Sequence, residues 1–531
     1  MSQQVRKQRQ PNVLFVMTDQ QRGDSIAALS NPHVYTPNFD RLVARGAAFT
    51  QAYSPTPVCV AARYAVRTGR SPLLTRVFSN GTTAPAEGQA EEMVDRCGPY
   101  LGTRMRELGY RTFGVGKFHA NPWDEDLGYD VHLHSEELFG SAERRQTDAY
   151  AKFIAEQHPE FDFIEGLHGE RTEMYYTPQM SPLPAELTVE SWVADRAVEL
   201  IGDDDASHDD GEQGKPYFGF VSFIGPHPPF APPIPFNRLY DPDRMPSPVV
   251  GDPQVDHADE QIPWMNYAIW ADDISPAQAR ILRARYYGEL TYIDDCFGRI
   301  LDAVEAREDA GNTVICFFAD HGDHLGDHDA WQKESFFEGS CHVPLLVSWP
   351  AGDIEPGVRN SELVSLVDLF GIATSAAGTT DVRDGVDVLG HLRNTASARE
   401  QLFGLYGAPG SREFKVMVRE GRWKYIFCAN GGRELLFDVT ADPQELRQLL
   451  SSQAELAARL RAMAATHLAG AAGAAALDED GDLLYFAFEA RPLRRIYQFD
   501  RSRGVSGFPP DPATGLQQYR DAERETPDRE I

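Results

Sequence analysis

Asn12-Val13-Leu14-Phe15-Val16-Met17-Thr18-Asp19-Gln20, near the N-terminus, shares a pattern with the distant Thr313-Val314-Ile315-Cys316-Phe317-Phe318-Ala319-Asp320-His321. Each is an apolar run closed by an acid and a second polar side chain. A strand with one wet face alternates apolar and polar residues, so continuous runs of this kind belong to strands covered on both faces, as in a parallel sheet. Two further runs fit the same reading. Phe113–Val115 ends in Gly116, Lys117 and His119, and Tyr217–Ile224 ends ahead of His227. Helical patterns lie between the runs, which predicts a largely parallel sheet flanked by helices. Open parallel sheets bind ligands beyond the carboxyl ends of their strands, so the four polar clusters are expected to converge on one site.

A chain of 531 residues with 42% hydrophobic residues can bury a large core and is expected to form more than one domain. The pattern changes after about Ala398. Phe414–Val418 and Trp423–Phe427 read as antiparallel strands, and Pro443–Leu468 reads as a helix. The expected division is an α/β catalytic domain over 1–398, a small α+β domain over 399–473, and an arm over 474–531 assigned to a contact between copies of the chain. Leu483–Phe488 is a further candidate strand, while Arg501–Ile531, rich in Pro, Gly and charge, reads as an extended or disordered tail. Asp203–Gly214 and the Pro-rich Pro226–Pro235 read as surface loops.

The formal net charge of -30 opposes binding to nucleic acid or an anionic membrane, so an anionic substrate would need a locally positive pocket. Met1–Gln10 is polar and basic, with no apolar signal region, and a cytoplasmic location is expected. The six cysteines (Cys59, Cys97, Cys296, Cys316, Cys341 and Cys428) lack the paired spacings of a disulfide framework or a zinc site. Cys316 and Cys296 fall in apolar patterns and read as small core residues.

Cys59 differs through its context, Cys59-Val60-Ala61-Ala62-Arg63 followed by Thr68-Gly69-Arg70. Pro57 and the small residues allow a turn into a helix that Gly69 ends, with Cys59 at its head and Arg63 one turn on, on the same face. A helix N-terminus and a guanidinium both favour an anion. An ordinary helix with a buried Cys and a surface Arg would give the same five letters. The segment resembles the signature of formylglycine-dependent sulfatases, of the alkaline phosphatase superfamily, in which the first residue is oxidised to formylglycine. Ala61 stands where Pro is commoner.

The resemblance continues to about Leu468, close to the choline-sulfatase, arylsulfatase and phosphonate monoester hydrolase branches. It implies an alkaline-phosphatase-like large, mostly parallel sheet with a smaller C-terminal α+β domain. Asn12–Gln20 resembles the opening strand of the family, with Asp19 as first metal ligand and Gln20 where many members have a second Asp. Phe318–Asp323 resembles the second metal motif, with Asp320 and His321 as ligands. Gly116-Lys117-Phe118-His119 and Gly225-Pro226-His227-Pro228-Pro229 resemble two further elements, and Lys333 matches a third cationic position. The resemblance implies that Lys117 and Lys333 hold sulfate oxygens, that His119 contacts the formylglycine hydrate, and that His227 lies near the leaving oxygen. Cys341 and His342 replace a small residue and an Arg, a departure expected to bear on substrate choice.

Asp19, Gln20, Asp320 and His321 are mostly oxygen donors with one imidazole, a set suited to Ca²⁺ or Mn²⁺ rather than structural zinc. Ca²⁺ is what the resemblance implies. Asp323, His324, Asp327, His328 and Asp329 read instead as a solvated acidic loop, and Asn80 is a weaker site candidate, since a turn in Ser79-Asn80-Gly81 explains it equally well. The expected partners are a small-molecule sulfate ester and, during maturation, a formylglycine-generating enzyme. Three other readings remain. A phosphonate monoester or phosphate diester hydrolase could use the same nucleophile, but Lys117 and His119 favour sulfate. A phosphomutase or phosphatase would need Ser or Thr at position 59. A catalytically silent homologue would bind sulfate esters without releasing sulfate.

Overall fold

The computed structural model describes residues 9–80, 90–136, 146–161, 175–203, 214–470 and 472–495. The tail over Arg501–Ile531, most of Asp203–Gly214 and most of Met1–Gln10 lie outside these residues. Strands β1 (Asn12–Thr18), β2 (Ala47–Phe49) and β3 (Ala52–Tyr53) precede a helix over Cys59–Thr68. Then come β4 (Arg111–Gly116), β5 (Val131–His134), β6 (Tyr217–Ser222) and β7 (Thr313–Ala319). They are followed by β8 (Leu345–Ser348), β9 (Val358–Asn360) and β10 (Val364–Ser365). Eight of them form one sheet in the order β5-β4-β6-β1-β7-β8-β2-β9, while β3 pairs with β10. From β5 to β7 every neighbour is parallel, and β8 runs antiparallel to both β7 and β2.

The sheet is covered on both faces, which is why its central strands are apolar between their end residues. Val13, Phe15 and Met17 of β1 face one core, and Leu14 and Val16 face the other. Val193, Ala197 and Ile201 from the helix Val189–Gly202, with Ile293, Phe297 and Ile300 from Pro276–Glu305, cover the second face. The first face carries the helix Cys59–Thr68 together with Leu369–Ala376. Cys296 and Cys316 are fully buried among these apolar side chains, and all six cysteines are free.

A second, antiparallel sheet joins β11 (Gln401–Tyr406), β12 (Lys415–Glu420), β13 (Trp423–Cys428) and β14 (Arg433–Asp438), and a helix over Ala454–Leu468 packs on it. Three expectations need correction. The helix predicted from Pro443 begins at Ala454, because the stretch before it is taken up by turns. Leu483–Phe488 is no strand: it makes isolated bridges, Leu477 to Leu483 and Asn430 to Phe486, with no ladder partner to extend them. The Pro-rich segment is a surface loop only in part, since Pro226, His227, Pro228 and Phe230 are buried. No helix among the described residues is long and apolar enough to cross a membrane.

Candidate active site

Strand register delivers the acidic pair. Thr18 pairs with Ala319 across β1 and β7, so Asp19 and Asp320 emerge side by side at the next step. Gly116 of β4 pairs with Ser222 of β6, and Met17 of β1 pairs with the same Ser222, which brings Lys117 alongside. Gly116 has φ 97°, and a Cβ there would lie 1.9 Å from the Ser222 carbonyl oxygen, so only glycine lets the chain turn Lys117 inward. The expected convergence of strand ends is therefore present in the geometry.

Cys59 is the first residue of its helix, preceded by Val58 in extended conformation and closed by Gly69 at φ 63°. The side-chain oxygen of Asn80 accepts from the Val60 N–H at 3.0 Å, so Asn80 binds one of the free amides of the helix head. Cys59 Sγ lies 3.1 Å from His321 Nε2, 3.1 Å from Lys333 Nζ and 3.7 Å from Asp19 Oδ1. Burial opposes a thiolate here, but Lys333, His321 and Lys117 outweigh it and take the thiol well below its ordinary value. His321 is raised in turn: burial lowers it, and Asp320 and the Cys59 sulfur more than compensate.

Arg63 sorts the carboxylate oxygens. Its guanidinium donates to Asp19 Oδ2 and to Asp320 Oδ2, each at 2.9 Å, and also to the Lys117 carbonyl and to Ser222 Oγ. The other two oxygens, Asp19 Oδ1 and Asp320 Oδ1, face His321 Nε2 at 3.7 and 3.6 Å. Burial and the Cys59 sulfur push Asp19 up, yet Lys117, His227 and Arg63 carry it well below the usual carboxylate range. Asp320 is raised, by burial first and by Asp19 second. Arg63 is raised despite burial, because Asp320 and Asp19 flank it.

These atoms can hold a divalent cation. Asp19, Cys59, Asp320 and His321 each offer a ligand atom within 4.8 Å of the others, and all four side chains are buried. His321 Nδ1 sits 3.0 Å from the Gly322 carbonyl, an acceptor only, so the ring proton lies there and the Nε2 lone pair faces the cluster. Gln20 adds a carbonyl oxygen, Oε1, that now accepts from Lys333 Nζ at 2.7 Å. Two carboxylates, an amide oxygen and one imidazole are donors that Ca²⁺ and Mn²⁺ accept.

A chain with this sheet and this cluster invites comparison with known proteins. Residues 11–379 match the family model described as Sulfatase, and residues 326–468 match that of the C-terminal part of N-sulphoglucosamine sulphohydrolase. The chain belongs to the sulfatase family. A choline-sulfatase from Rhizobium meliloti (strain 1021) is 30% identical over 517 residues, covering 92% of this chain and 93% of that protein. An arylsulfatase from Clostridium perfringens (strain 13 / Type A) is 26% identical, covering 83% of this chain and 91% of the other. In fold, the phosphonate monoester hydrolase of Agrobacterium radiobacter superposes with a TM-score of 0.70 at 24% identity, over 86% of this chain and 95% of that one. The protein is thus a sulfatase-family hydrolase with the alkaline-phosphatase-like architecture expected from its sequence.

The other predicted residues of this sulfatase-family chain fall around the same point. Lys117 is fully buried and pairs with Asp19 Oδ2 at 2.8 Å. His119 has φ 49°, and its own N–H and that of Phe118 both donate to Glu136 Oε1, at 2.8 and 2.7 Å, which holds the turn. His227 Nδ1 faces the Pro228 carbonyl at 2.8 Å, so that nitrogen keeps its proton and any exchange occurs at Nε2, where Tyr175 OH lies 3.0 Å away. Cys341 and His342 are not drawn into this cluster: Cys341 donates to the Phe336 carbonyl, and His342 packs between Gly23, Glu338 and the Thr50 carbonyl.

The reading of Asp323–Asp329 as solvated is overturned for most of its residues. Asp323 and His324 are fully buried, and His328 is nearly so. His328 Nδ1 meets Asp256 at 2.8 Å and its ring stacks on Phe337, while Asp327 pairs with Arg22 and Arg283. Asp329 alone keeps an exposed carboxylate. Apart from Asp329, the polar groups of the segment are met by buried hydrogen-bond and charged partners rather than by water. Sequence reasoning also passed over Tyr175, Tyr176 and Glu136, for which only the spacing of aromatic or acidic residues could have served as a signal.

Proposed function

We propose that the protein hydrolyses sulfate monoesters to an alcohol and inorganic sulfate, using formylglycine formed from Cys59 and a divalent cation, Ca²⁺ or Mn²⁺, held by Asp19, Gln20, Asp320 and His321. The observation that carries this reading is the position of Cys59 Sγ at a helix head, 3.1 Å from both His321 Nε2 and Lys333 Nζ, within a cluster able to hold a cation. The family membership and the choline-sulfatase at 30% identity support it. When present, formylglycine supplies a hydroxyl nucleophile and a route back to the aldehyde, and the cation supplies positive charge that favours the deprotonated hydroxyl. Lys117 and Lys333 offset charge on the transferring sulfuryl group. In this reading His119 takes the proton released at position 59. His227, through Nε2, and Lys333 donate the proton that the departing alcohol takes up. The domain division at about residues 398 and 473, with a C-terminal arm between copies of the chain, is part of the same proposal.

Two measurements test this. The peptide Ser54–Arg63 is expected to carry formylglycine by mass spectrometry, and fully active protein with only unmodified cysteine would remove the nucleophile. Choline, aryl and sugar sulfates should release inorganic sulfate faster than a phosphonate monoester is cleaved; the reverse order would move the protein to the phosphonate and phosphate diester branch, and binding without sulfate release would make it a silent homologue.

The general-acid assignment makes a separate prediction. An alkoxide leaving group needs a proton and an activated phenolate needs little help, so loss of the acid should fall hardest on alkyl sulfates. His227→Ala and Lys333→Ala are expected to steepen the dependence of kcat/KM on leaving-group pKa, while Lys117→Ala slows good and poor leaving groups alike. Equal losses for both classes in the first two variants would reassign those residues to sulfate binding.

A further inference from the structure

Gln20 is the only amide in the proposed cation set, and it has two ends of nearly equal shape, one accepting and one donating. Only the oxygen is of use to a cation, so the amide has to be held the right way round. Two neighbours fix it. Lys333 Nζ, which can only donate, lies 2.7 Å from Oε1. Asp323 Oδ2 lies 2.5 Å from Nε2. Asp323 is itself held by donors: Tyr176 OH at 2.6 Å on Oδ2 and the Leu325 N–H at 2.7 Å on Oδ1. Tyr176 O accepts in turn from the Gln332 N–H at 3.0 Å, which ties the Lys333 loop to the same point. The Gln20 backbone is pinned as well, its N–H to Asp320 Oδ1 and its carbonyl by Tyr286 OH, each at 3.1 Å. What remains free to choose is the direction of the amide, and the fully buried Asp323 sets it from the nitrogen side as Lys333 does from the oxygen side.

We propose that Asp323, anchored by Tyr176 and Leu325, is a positioning residue for the cation site: it captures the Gln20 amide nitrogen and thereby turns the Gln20 oxygen toward Asp19, Asp320 and His321. This rests on reading that cluster as a divalent-cation site. Outer partners that orient a ligand typically change metal affinity by about 10–100-fold when removed.

The test is the dissociation constant of Ca²⁺ and of Mn²⁺ for the metal-stripped full-length chain, measured by titration calorimetry, with near-UV circular dichroism to check folding. In Asp323→Asn, the Leu325 N–H claims the new oxygen, the new NH₂ faces Gln20, and the Gln20 amide must reverse, so binding should weaken by about 10–100-fold. Adding Gln20→Glu to Asp323→Asn restores complementarity, because a carboxylate accepts from the Asn NH₂ with one oxygen and keeps the other toward the cation. The double variant should recover affinity to within a few-fold of the original chain, a rescue that mere loss of packing would not permit. Asp323→Asn binding as tightly as the original, while Asp320→Asn binds nothing, would overturn the proposal and leave the cation site standing. A double variant no better than the single one would overturn it too. If the single variant does not fold, the double decides alone, and affinity ten-fold or more below the original would count against the proposal. Unchanged affinity in Asp320→Asn as well would mean that the cation site itself is misassigned.

Discussion

Cys59→Ala is expected to fold, keep its near-UV spectrum and lose turnover by on the order of 10⁴–10⁶-fold, the scale seen when a nucleophile is deleted from a site that otherwise stays intact. The side chain is small and fully buried, and the helix it starts is held at its other positions by apolar packing, so the loss should be chemical rather than structural. Cys59→Ser separates the formylglycine reading from plain hydroxyl attack. A serine can be sulfated, but it carries no second hydroxyl through which to expel sulfate, so the alcohol should appear at no more than one equivalent per chain and inorganic sulfate should not be released. Steady turnover by the serine variant, measured as inorganic sulfate against enzyme concentration, would sink the proposed chemistry.

The second large effect is expected at Arg63. Its guanidinium is buried between Asp19 and Asp320 and holds one oxygen of each at 2.9 Å. Arg63→Met keeps much of the volume but leaves two adjacent carboxylates without that counter-charge, and breaking a buried pair in this way costs about 3–5 kcal/mol. Lys117 on Asp19 compensates in part, whereas Asp320, already raised by burial and by Asp19, should take up a proton. Denaturant unfolding of the metal-free variant should show the full loss, and saturating Ca²⁺ or Mn²⁺ should return part of it, because a ligand that binds only the folded state stabilises it. A metal-free Arg63→Met as stable as the original would mean that the two acids do not depend on Arg63 for charge balance.

The parts of this molecule that could be read in advance are those whose signal is local. A strand buried on both faces is apolar at every position, so β1 and β7 declare themselves, and the polar residue after each strand marks the ligand-binding edge. The helix of Cys59 is likewise written in its small residues and in Gly69. What could not be read depends on partners far away in the chain. Asp323 meets Gln20 and Tyr176, which are 303 and 147 positions distant, and nothing in the string Asp323-His324-Leu325 separates burial among such partners from exposure to water. The same limit explains Leu483–Phe488, whose apolar residues suit a strand but find no neighbour to pair with, and β11 and β14, whose pairing with β12 and β13 decides their conformation. His342 was expected to bear on substrate choice because it departs from the family pattern, yet its side chain turns away, toward Glu338 and the Thr50 carbonyl.

The complete burial of Cys59 sets an order of events in the life of the chain. In the finished fold the residues around position 59 are wound into a helix behind Lys333, His321 and Asp19, so an enzyme that oxidises Cys59, as the proposed chemistry requires, has no access to the thiol there. On the proposed chemistry, oxidation at position 59 would then compete with folding, and a molecule that folds first would keep its thiol intact. Specific activity of a preparation then measures the outcome of that race, and slowing synthesis or supplying more of the maturing enzyme should raise the active fraction, whereas treating the purified protein afterwards should not.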